Sequence, residues 1–403
     1  MLTREILLKR AEEFIFSTGL NDATSKLCRA NMKFGLAQMH LLQEKYGLEP
    51  NACFISSPDE TISRNNFRWN SGLGYGGRLS WGNGKERIIF LNVKPNCCGI
   101  LVGGLEEPPD PLDLIKKIEQ VKSEDLYHDN IKINWDFGIS NHFVNCCKVE
   151  KLSDIKFPPY VFLIHGSSPE FRDDSNGLGL YVDKSKTLRD LAIEEETIFG
   201  KYYVLLDSNA KEYVHFHSRA LEFSSKKREI IAEKLFNSKL KIICNQPHQF
   251  LKDYNNMYLG SNCTDVTSKY IKNDIFPIVL RADTNSYLFK GLPNFSEDTI
   301  QEKQFSERAR KLGLMDLLRS SNILPHGGGY NFPDIKSVRE IFEYNKKRYF
   351  ICDLANGNGK IKIFKTVKEL QFKYRKEEVI YHTMQLKLGK PIARLIPLFS
   401  IKL

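Results

Sequence analysis

PPYVFLIHG, residues 158–166, decides how the rest of the chain is read. Two prolines end whatever precedes it. An apolar run from Tyr160 to Ile164 follows without a break, rich in β-branched and aromatic residues, and then His165 and Gly166 close it. A short apolar run bounded by proline and glycine predicts a strand buried on both faces. A histidine at its end falls where strand gives way to loop, a common place for working side chains.

Working outward, further strands are expected at RIIFLNV (87–93), within 136–149, at IFPIVLRA (275–282) and at the closing ARLIPLFSIKL (393–403). Ile6, Leu7, Ala11, Phe14 and Ile15 recur at helical spacing, and Gly19 ends that pattern. A second helix is expected from a cap at Asp22 or Thr24 to about Gly47, with Met32, Leu36, Met39 and Leu42 on its apolar side. Helices are also expected over 219–236, 306–319 and 376–387. The glycine-rich GLGYGGRLSWGNGK (72–85) reads as turns or close backbone approaches; it lacks the GxxxxGK[ST] pattern of a P-loop. There is no internal repeat, linker or regular βαβ rhythm. The reading is therefore α+β: one large domain over 1–403, with mixed sheets and surrounding helices, in which 1–90 belongs to the same unit.

Of 403 residues, 41% are hydrophobic and 27% charged, which excludes global disorder. No apolar run is long enough to span a bilayer, and the start MLTREILLKRAEEF lacks a signal-peptide pattern, so a cytoplasmic protein with no membrane partner is expected. Nine cysteines, an odd number that includes the adjacent pairs Cys97-Cys98 and Cys146-Cys147, fit reduced thiols rather than a disulfide framework. The net charge of +10 points to a polyanionic partner such as nucleic acid.

Four of the nine histidines stand at chemically suggestive points: His142 in ISNHF, His165 at the strand end, His248 after Asn245-Gln246-Pro247, and His326 in HGGGY. With Cys98 of the NCCG turn they form a set that suits a borderline or soft transition metal. Any one of them alone is more readily a hydrogen-bonded structural side chain, and their separation in sequence does not assemble a site. HGGG is also the oxyanion-hole motif of some α/β-hydrolases, but the G-x-S-x-G elbow that fold requires is missing.

Taken in order, the segments resemble the motifs of the RtcB-type RNA ligases, the tRNA-splicing ligase family. NCCG (96–99) resembles the family's cysteine-glycine metal turn, and GISNHF (138–143) is similar to its GSGNHF. FLIHGSS (162–168) looks like its His-Ser-Gly-Ser, PHQF (247–250) like its later His-Asn-Tyr, and PHGGGY (325–330) like its His-Gly-Ala-Gly-Arg. The terminus with its penultimate Lys402 is also similar, so the resemblance runs from about Asn92 to Leu403. It implies that Cys98, His142, His165 and His248 bind one or two manganese ions. It further implies that His326 is the nucleophile that accepts GMP from GTP, that Asn141 contacts a phosphate, and that Lys402 and Tyr374 contact the guanine. The implied enzyme joins RNA 3′-phosphate or 2′,3′-cyclic phosphate ends to 5′-hydroxyl ends. Its partners would be tRNA halves or other cleaved RNA, with an archease-like activator.

The chain departs from the family at four places. Pro95 stands where the family has an aspartate ligand, with Asn92 and Asn96 as nearby replacements for its oxygen. Asn145 replaces a glutamate at the guanine, Tyr330 replaces the arginine of HGAGR, and LRADTN (280–285) keeps Arg281 of a basic stretch but gains Asp283. These departures carry a second reading, a non-catalytic paralogue that holds RNA ends or nucleotide. A third is an α+β protein whose histidines are structural.

Overall fold

The chain is described by a computed structural model that covers residues 3–236, 240–345 and 347–403. Helix and strand contribute almost equally, 31% and 33%, over several sheets, so the class is mixed α+β.

The strand announced by PPYVFLIHG forms over Tyr160–Gly166 and sits inside a seven-stranded sheet. The order is Lys241–Pro247, Gly99–Leu105, Tyr160–Gly166, Phe143–Lys151, Gly389–Ile401, Ser286–Gly291 and Ile275–Ile278. Every neighbouring pair is antiparallel. The sheet curls until its ends nearly meet. Gln246 Nε2 donates to the carbonyls of Asn273 and Ile275, both at 3.0 Å, and Asn273 Nδ2 donates to Ile243 O at 2.9 Å. Amide side chains thus bridge the first and last strands where a backbone ladder does not, and one nearly closed barrel results. Val102, Leu163, Leu288 and Leu395 form an apolar cluster on one face of it. The long helix Asp207–Phe236 covers the other face, where Phe162 stacks on Phe236 at 4.0 Å.

A five-stranded sheet is built on Cys53–Ile62, all ten residues of which are buried. The helix Ala23–Lys45 covers it, started by Asp22, whose carboxylate accepts from Ser25 N at 2.9 Å. Residues from Leu7 to Ile401 share the main apolar core, so the first ninety residues pack into it. A three-stranded antiparallel sheet, Ile335–Tyr344, Lys347–Leu354 and Ile361–Phe364, lays Phe350, Cys352 and Phe364 on Trp69 and Leu27.

Several boundaries differ from the sequence expectation. The first helix stops at Glu13 because Phe14, Ile15 and Phe16 are all buried; consecutive buried residues do not fit one helical stripe, and Ile15–Phe16 pairs with Phe54 and Ile55 instead. Part of the glycine-rich stretch is not a turn but the strand Gly74–Ser80, where a Cβ on Gly77 would lie 2.4 Å from Ile55 O. The close backbone approach expected there is present. The 306–319 segment splits into Ser306–Lys311 and Met315–Arg319 around Gly313, which has φ +68°. The helix expected over 219–236 begins earlier, at Asp207. All nine cysteines are free and buried. Among the described residues no helix is long and apolar enough to cross a membrane.

Candidate functional site

Strand register explains how residues distant in sequence meet. Gly99 pairs with Gly166 and with Pro247, and His165 pairs with Phe143. Cys98, His142, His165 and His248 therefore fall at the same end of four adjacent strands. The turn carrying Cys98 is held irregular, with positive φ at Lys94 and Cys97. It is tied to the histidine turn by His248 N donating to Cys98 O at 3.0 Å and Cys97 N to Gln249 O at 3.0 Å.

The ligand atoms of Cys98, His142 and His165 lie within 4.8 Å of one another, and all three residues are buried. This Cys/His/His cluster could bind a metal ion. The imidazoles continue as a chain. Ring centroids are 4.6 Å apart for His142–His165, 5.0 Å for His165–His248 and 4.7 Å for His248–His326.

Hydrogen bonds decide which nitrogens are available. His142 Nδ1 contacts Asp136 O at 2.9 Å and Asp136 Oδ2 at 3.1 Å, leaving Nε2 facing Cys98 Sγ at 3.6 Å. His165 Nδ1 faces Asn141 O at 3.1 Å; a carbonyl only accepts, so Nδ1 holds the proton and Nε2 carries a lone pair. His165 Nε2 and His248 Nδ1 are buried and have no partner. A buried orphan acceptor beside a thiol, as His165 Nε2 is, is what an ion would satisfy, whereas His248 stands next to this three-residue cluster and not within it. Behind them, Asp136 accepts from Ser167 and pairs with Lys227 Nζ at 2.9 Å, which also pairs with Glu170 at 2.9 Å.

Electrostatics favours the ligand forms of Cys98, His165 and His248, whereas His142 is held protonated and gives up its Nε2 proton only when an ion takes its place. Burial opposes the Cys98 thiolate, but the hydrogen bond and charge of His142 outweigh it and hold the thiol below its ordinary value. Burial also opposes charge on His142, yet Asp136 and Cys98 raise it to about 9. Burial, and then the neighbouring imidazoles, push His165 and His248 well below the usual range, so both are neutral.

His326 stands at the end of the imidazole chain. Its Nδ1 lies 2.8 Å from Asp59 Oδ2, the same oxygen that accepts from His326 N at 3.1 Å and Gly327 N at 3.3 Å. Asp59 is fully buried on the strand Cys53–Ile62, where the pairing register slips between Ser56 and Thr61. A carboxylate can only accept, so Nδ1 is protonated and Nε2 is left free. The glycines are sterically required. A Cβ on Gly328 would sit 2.4 Å from Arg375 O, and one on Gly329, which has φ +63°, would sit 2.4 Å from Asp59 O.

One cavity of about 1190 Å³ is lined by all nine residues singled out from the sequence. Tyr374 lies across from Tyr330, ring centroids 5.2 Å apart, and Tyr330 meets Phe372 at 5.0 Å. Arg64 sits 4.0 Å above the Phe372 ring. Lys402 Nζ donates to Ser140 O at 2.9 Å, and Trp135 Nε1 donates to Leu403 O at 2.7 Å, which pins the end of the chain beside Asn141. Asn145, paired with Ser400, is buried with its Oδ1 unpartnered.

Neither asparagine is free to supply the oxygen that the resemblance would place at Pro95. Asn92 bonds Ser71 and Tyr203 within the fold. Asn96 turns its Nδ2 to Cys98 Sγ at 2.9 Å, while its Oδ1 accepts from Arg172 Nε at 3.0 Å and from the Tyr181 hydroxyl. Arg281 is ion-paired with Asp283. Sequence reasoning missed Asp59 altogether. Its one signal was an acid inside the otherwise strand-like CFISSPDETI, in the part of the chain the resemblance did not cover. No protein-family model matches the chain, and no curated protein is similar to it.

Proposed function

We propose that this protein is a GTP-dependent RNA ligase, joining RNA 3′-phosphate or 2′,3′-cyclic phosphate ends to 5′-hydroxyl ends through a guanylylated His326. The observation that carries this reading is the hold of Asp59 on His326 Nδ1 beside a buried sulfur–imidazole cluster. It supports Nε2 as a nucleophile of fixed tautomer and direction.

In this scheme His326 Nε2 attacks the α-phosphorus of GTP; a P–N bond forms and pyrophosphate leaves. Where the RNA ends in a 2′,3′-cyclic phosphate, water first opens it, breaking the P–O2′ bond to leave a 3′-phosphate; the P–N bond then breaks as GMP passes to that 3′-phosphate, and attack by the 5′-hydroxyl expels GMP. Asp59 stabilises the imidazolium that forms on attack. Asn141 serves a phosphate, and Lys402 and Tyr374 serve the guanine. Asn145 presents an amide to the base, where a carboxylate would accept from its ring NH and amino groups.

Cys98, His142 and His165 would hold a divalent transition ion, and His248, next in the imidazole chain, would complete the set or hold a second one. A bound ion would neutralise charge building on the phosphates. One sulfur and three imidazoles without a carboxylate suit zinc, cobalt or iron as well as manganese, so all belong in the test.

The second reading, a non-catalytic paralogue that holds RNA ends or nucleotide, draws on Tyr330 in place of a cation and on the pairing of Arg281 with Asp283. Incubation with α-labelled GTP and each metal separates the two. Label on the wild type that disappears in His326→Ala supports the ligase. No label under any metal, with RNA binding retained, supports the paralogue. Label that persists in His326→Ala removes this residue from its role.

A further inference from the structure

Residues 335–376 hold twelve Lys or Arg and four Asp or Glu, an excess of eight in a chain whose net charge is +10. The basic character of the protein is therefore concentrated in one element, the small sheet Ile335–Tyr344, Lys347–Leu354 and Ile361–Phe364 and the segment that follows it.

The sheet is two-faced. Phe350, Cys352 and Phe364 belong to its packed side. Alternation places Tyr349 and Ile351 on the other side, and the register adds Phe342 opposite Tyr349 and Ile363 opposite Ile351. This second side is open: Phe342 is 39% exposed, Ile363 52% and Tyr344 65%. Phe342 and Tyr349 stack with centroids 5.0 Å apart and planes at 15°. Lys336, Lys347, Lys360 and Lys365 are exposed around it. Lysines alone would guard an edge strand against pairing. They do not account for a row of exposed aromatic and β-branched side chains between them.

The chain leads from this sheet to the cavity. Trp69 Nε1 donates to Lys365 O at 2.8 Å, fixing the exit of the sheet. The chain then passes exposed Lys368 and reaches Phe372, Lys373 and Tyr374, all on the cavity wall. Along the chain, aromatic residues and cations thus continue from the sheet to the cavity wall.

We propose that the outer face of this sheet, centred on the Phe342–Tyr349 stack, is a platform for single-stranded RNA whose end enters the cavity. The proposal rests on the reading of the cavity as a site for RNA ends. Bases stack on Phe342, Tyr349 and Tyr344, and the surrounding lysines meet phosphates. Every base has a π-face, so the platform is tolerant of sequence. Charge selects the occupant: an acidic strand complements the exposed Lys336, Lys347, Lys360 and Lys365, whereas a second copy of this face would repel it.

The test is fluorescence anisotropy of the full chain with a labelled oligouridylate over a range of salt. Phe342→Ala with Tyr349→Ala weakens binding by roughly ten-fold or more at unchanged salt dependence. Lys347→Ala with Lys360→Ala and Lys365→Ala reduces the slope of log affinity against log salt by about 2, at ~0.7 for each phosphate that is no longer neutralised. Labelling of His326 by α-labelled GTP stays at the wild-type level in both sets, and thermal midpoints confirm folding. Wild type that binds no single-stranded RNA overturns the proposal, as does unchanged RNA binding in both sets. A dimer in sedimentation that Ile363→Asp dissolves, with RNA binding untouched, assigns the face to a second copy and also overturns it. Loss of RNA binding in the variants of a protein that takes no label leaves the platform standing while the ligase reading fails.

Discussion

Nδ1 of His326 lies 2.8 Å from Oδ2 of Asp59, although the two residues sit in opposite parts of the chain. The pair fixes one tautomer and one ring orientation. Asp59→Asn keeps the volume but removes the obligate acceptor. On the proposed ligase reading, guanylylation of His326 is expected to fall by about a hundred-fold or more, by analogy with the loss of an orienting carboxylate in a catalytic triad. The thermal midpoint should move far less than the rate. A rate within a few-fold of wild type would show that Asp59 merely packs.

Cobalt reports the cluster directly. Cys98 supplies its sulfur, and His142 and His165 bring nitrogens within 4.8 Å. Cobalt-loaded protein should show a sulfur-to-metal band in the near ultraviolet. Cys98→Ser is expected to abolish that band and to weaken affinity by roughly ten-fold or more. An identical spectrum in the variant places the ion elsewhere.

The carboxylate behind the cluster gives a separate measurement. Asp136 orients His142 through Nδ1. Asp136→Asn is expected to weaken cobalt binding by roughly 10–100-fold with the sulfur band retained, since the ligands themselves are intact. Unchanged affinity would count against His142 as a ligand.

Stability has a predictable pH dependence at Glu60. This carboxyl is fully buried; burial raises it to about 7 against the opposing charge of Arg29 and a 2.7 Å hydrogen bond from Ser17. The folded value lies above the unfolded value of about 4.5. Its contribution is therefore complete below pH ~4.5 and lost as pH rises through ~7, a change of about 3 kcal/mol. Glu60→Gln mimics the protonated form at every pH. The thermal midpoint of the variant relative to wild type should climb between about pH 5 and pH 8. A constant difference over that range rules the shift out.

The sequence carried the site better than it carried the fold. His165 could be placed because a buried apolar run ends on it, and Cys98, His142 and His248 because short motifs surround them. Their convergence depended on antiparallel register between strands far apart in the chain, which no local pattern encodes. Asp59 was illegible for a related reason: its partner lies far away in sequence, and an acid within a strand carries no sign of what it will meet. The Ile15–Phe16 strand failed differently, since a helical spacing over Ile6 to Ile15 masked three consecutive buried residues. The open sheet was visible only as charge, because exposure of Phe342 and Ile363 is a property of packing.

Tyr330 offers a test that gains function rather than losing it. Its backbone is fixed by Thr61, with Tyr330 N donating to Thr61 Oγ1 at 3.0 Å and Thr61 Oγ1 donating to Tyr330 O at 3.2 Å. Its ring is half-buried against Tyr374 and Phe372 at the cavity wall. A phenol offers one donor and no charge; a guanidinium offers five donors and a fixed charge to phosphate oxygens. Tyr330→Arg keeps the backbone contacts and places that charge three glycines from His326. If phosphate binding limits the first step, labelling by GTP should rise by roughly ten-fold, the equivalent of one charge-assisted hydrogen bond of about 1.5 kcal/mol. The gain should shrink at high salt, because a charge facing a solvated cavity is screened. It should also vanish in the double variant with His326→Ala, which ties it to the nucleophile. A Tyr330→Arg protein that folds, binds GTP more tightly and labels no faster would show that the phosphate contact is not what limits this chain, and would move attention to Asn145, whose Oδ1 is unpartnered, and to Pro95.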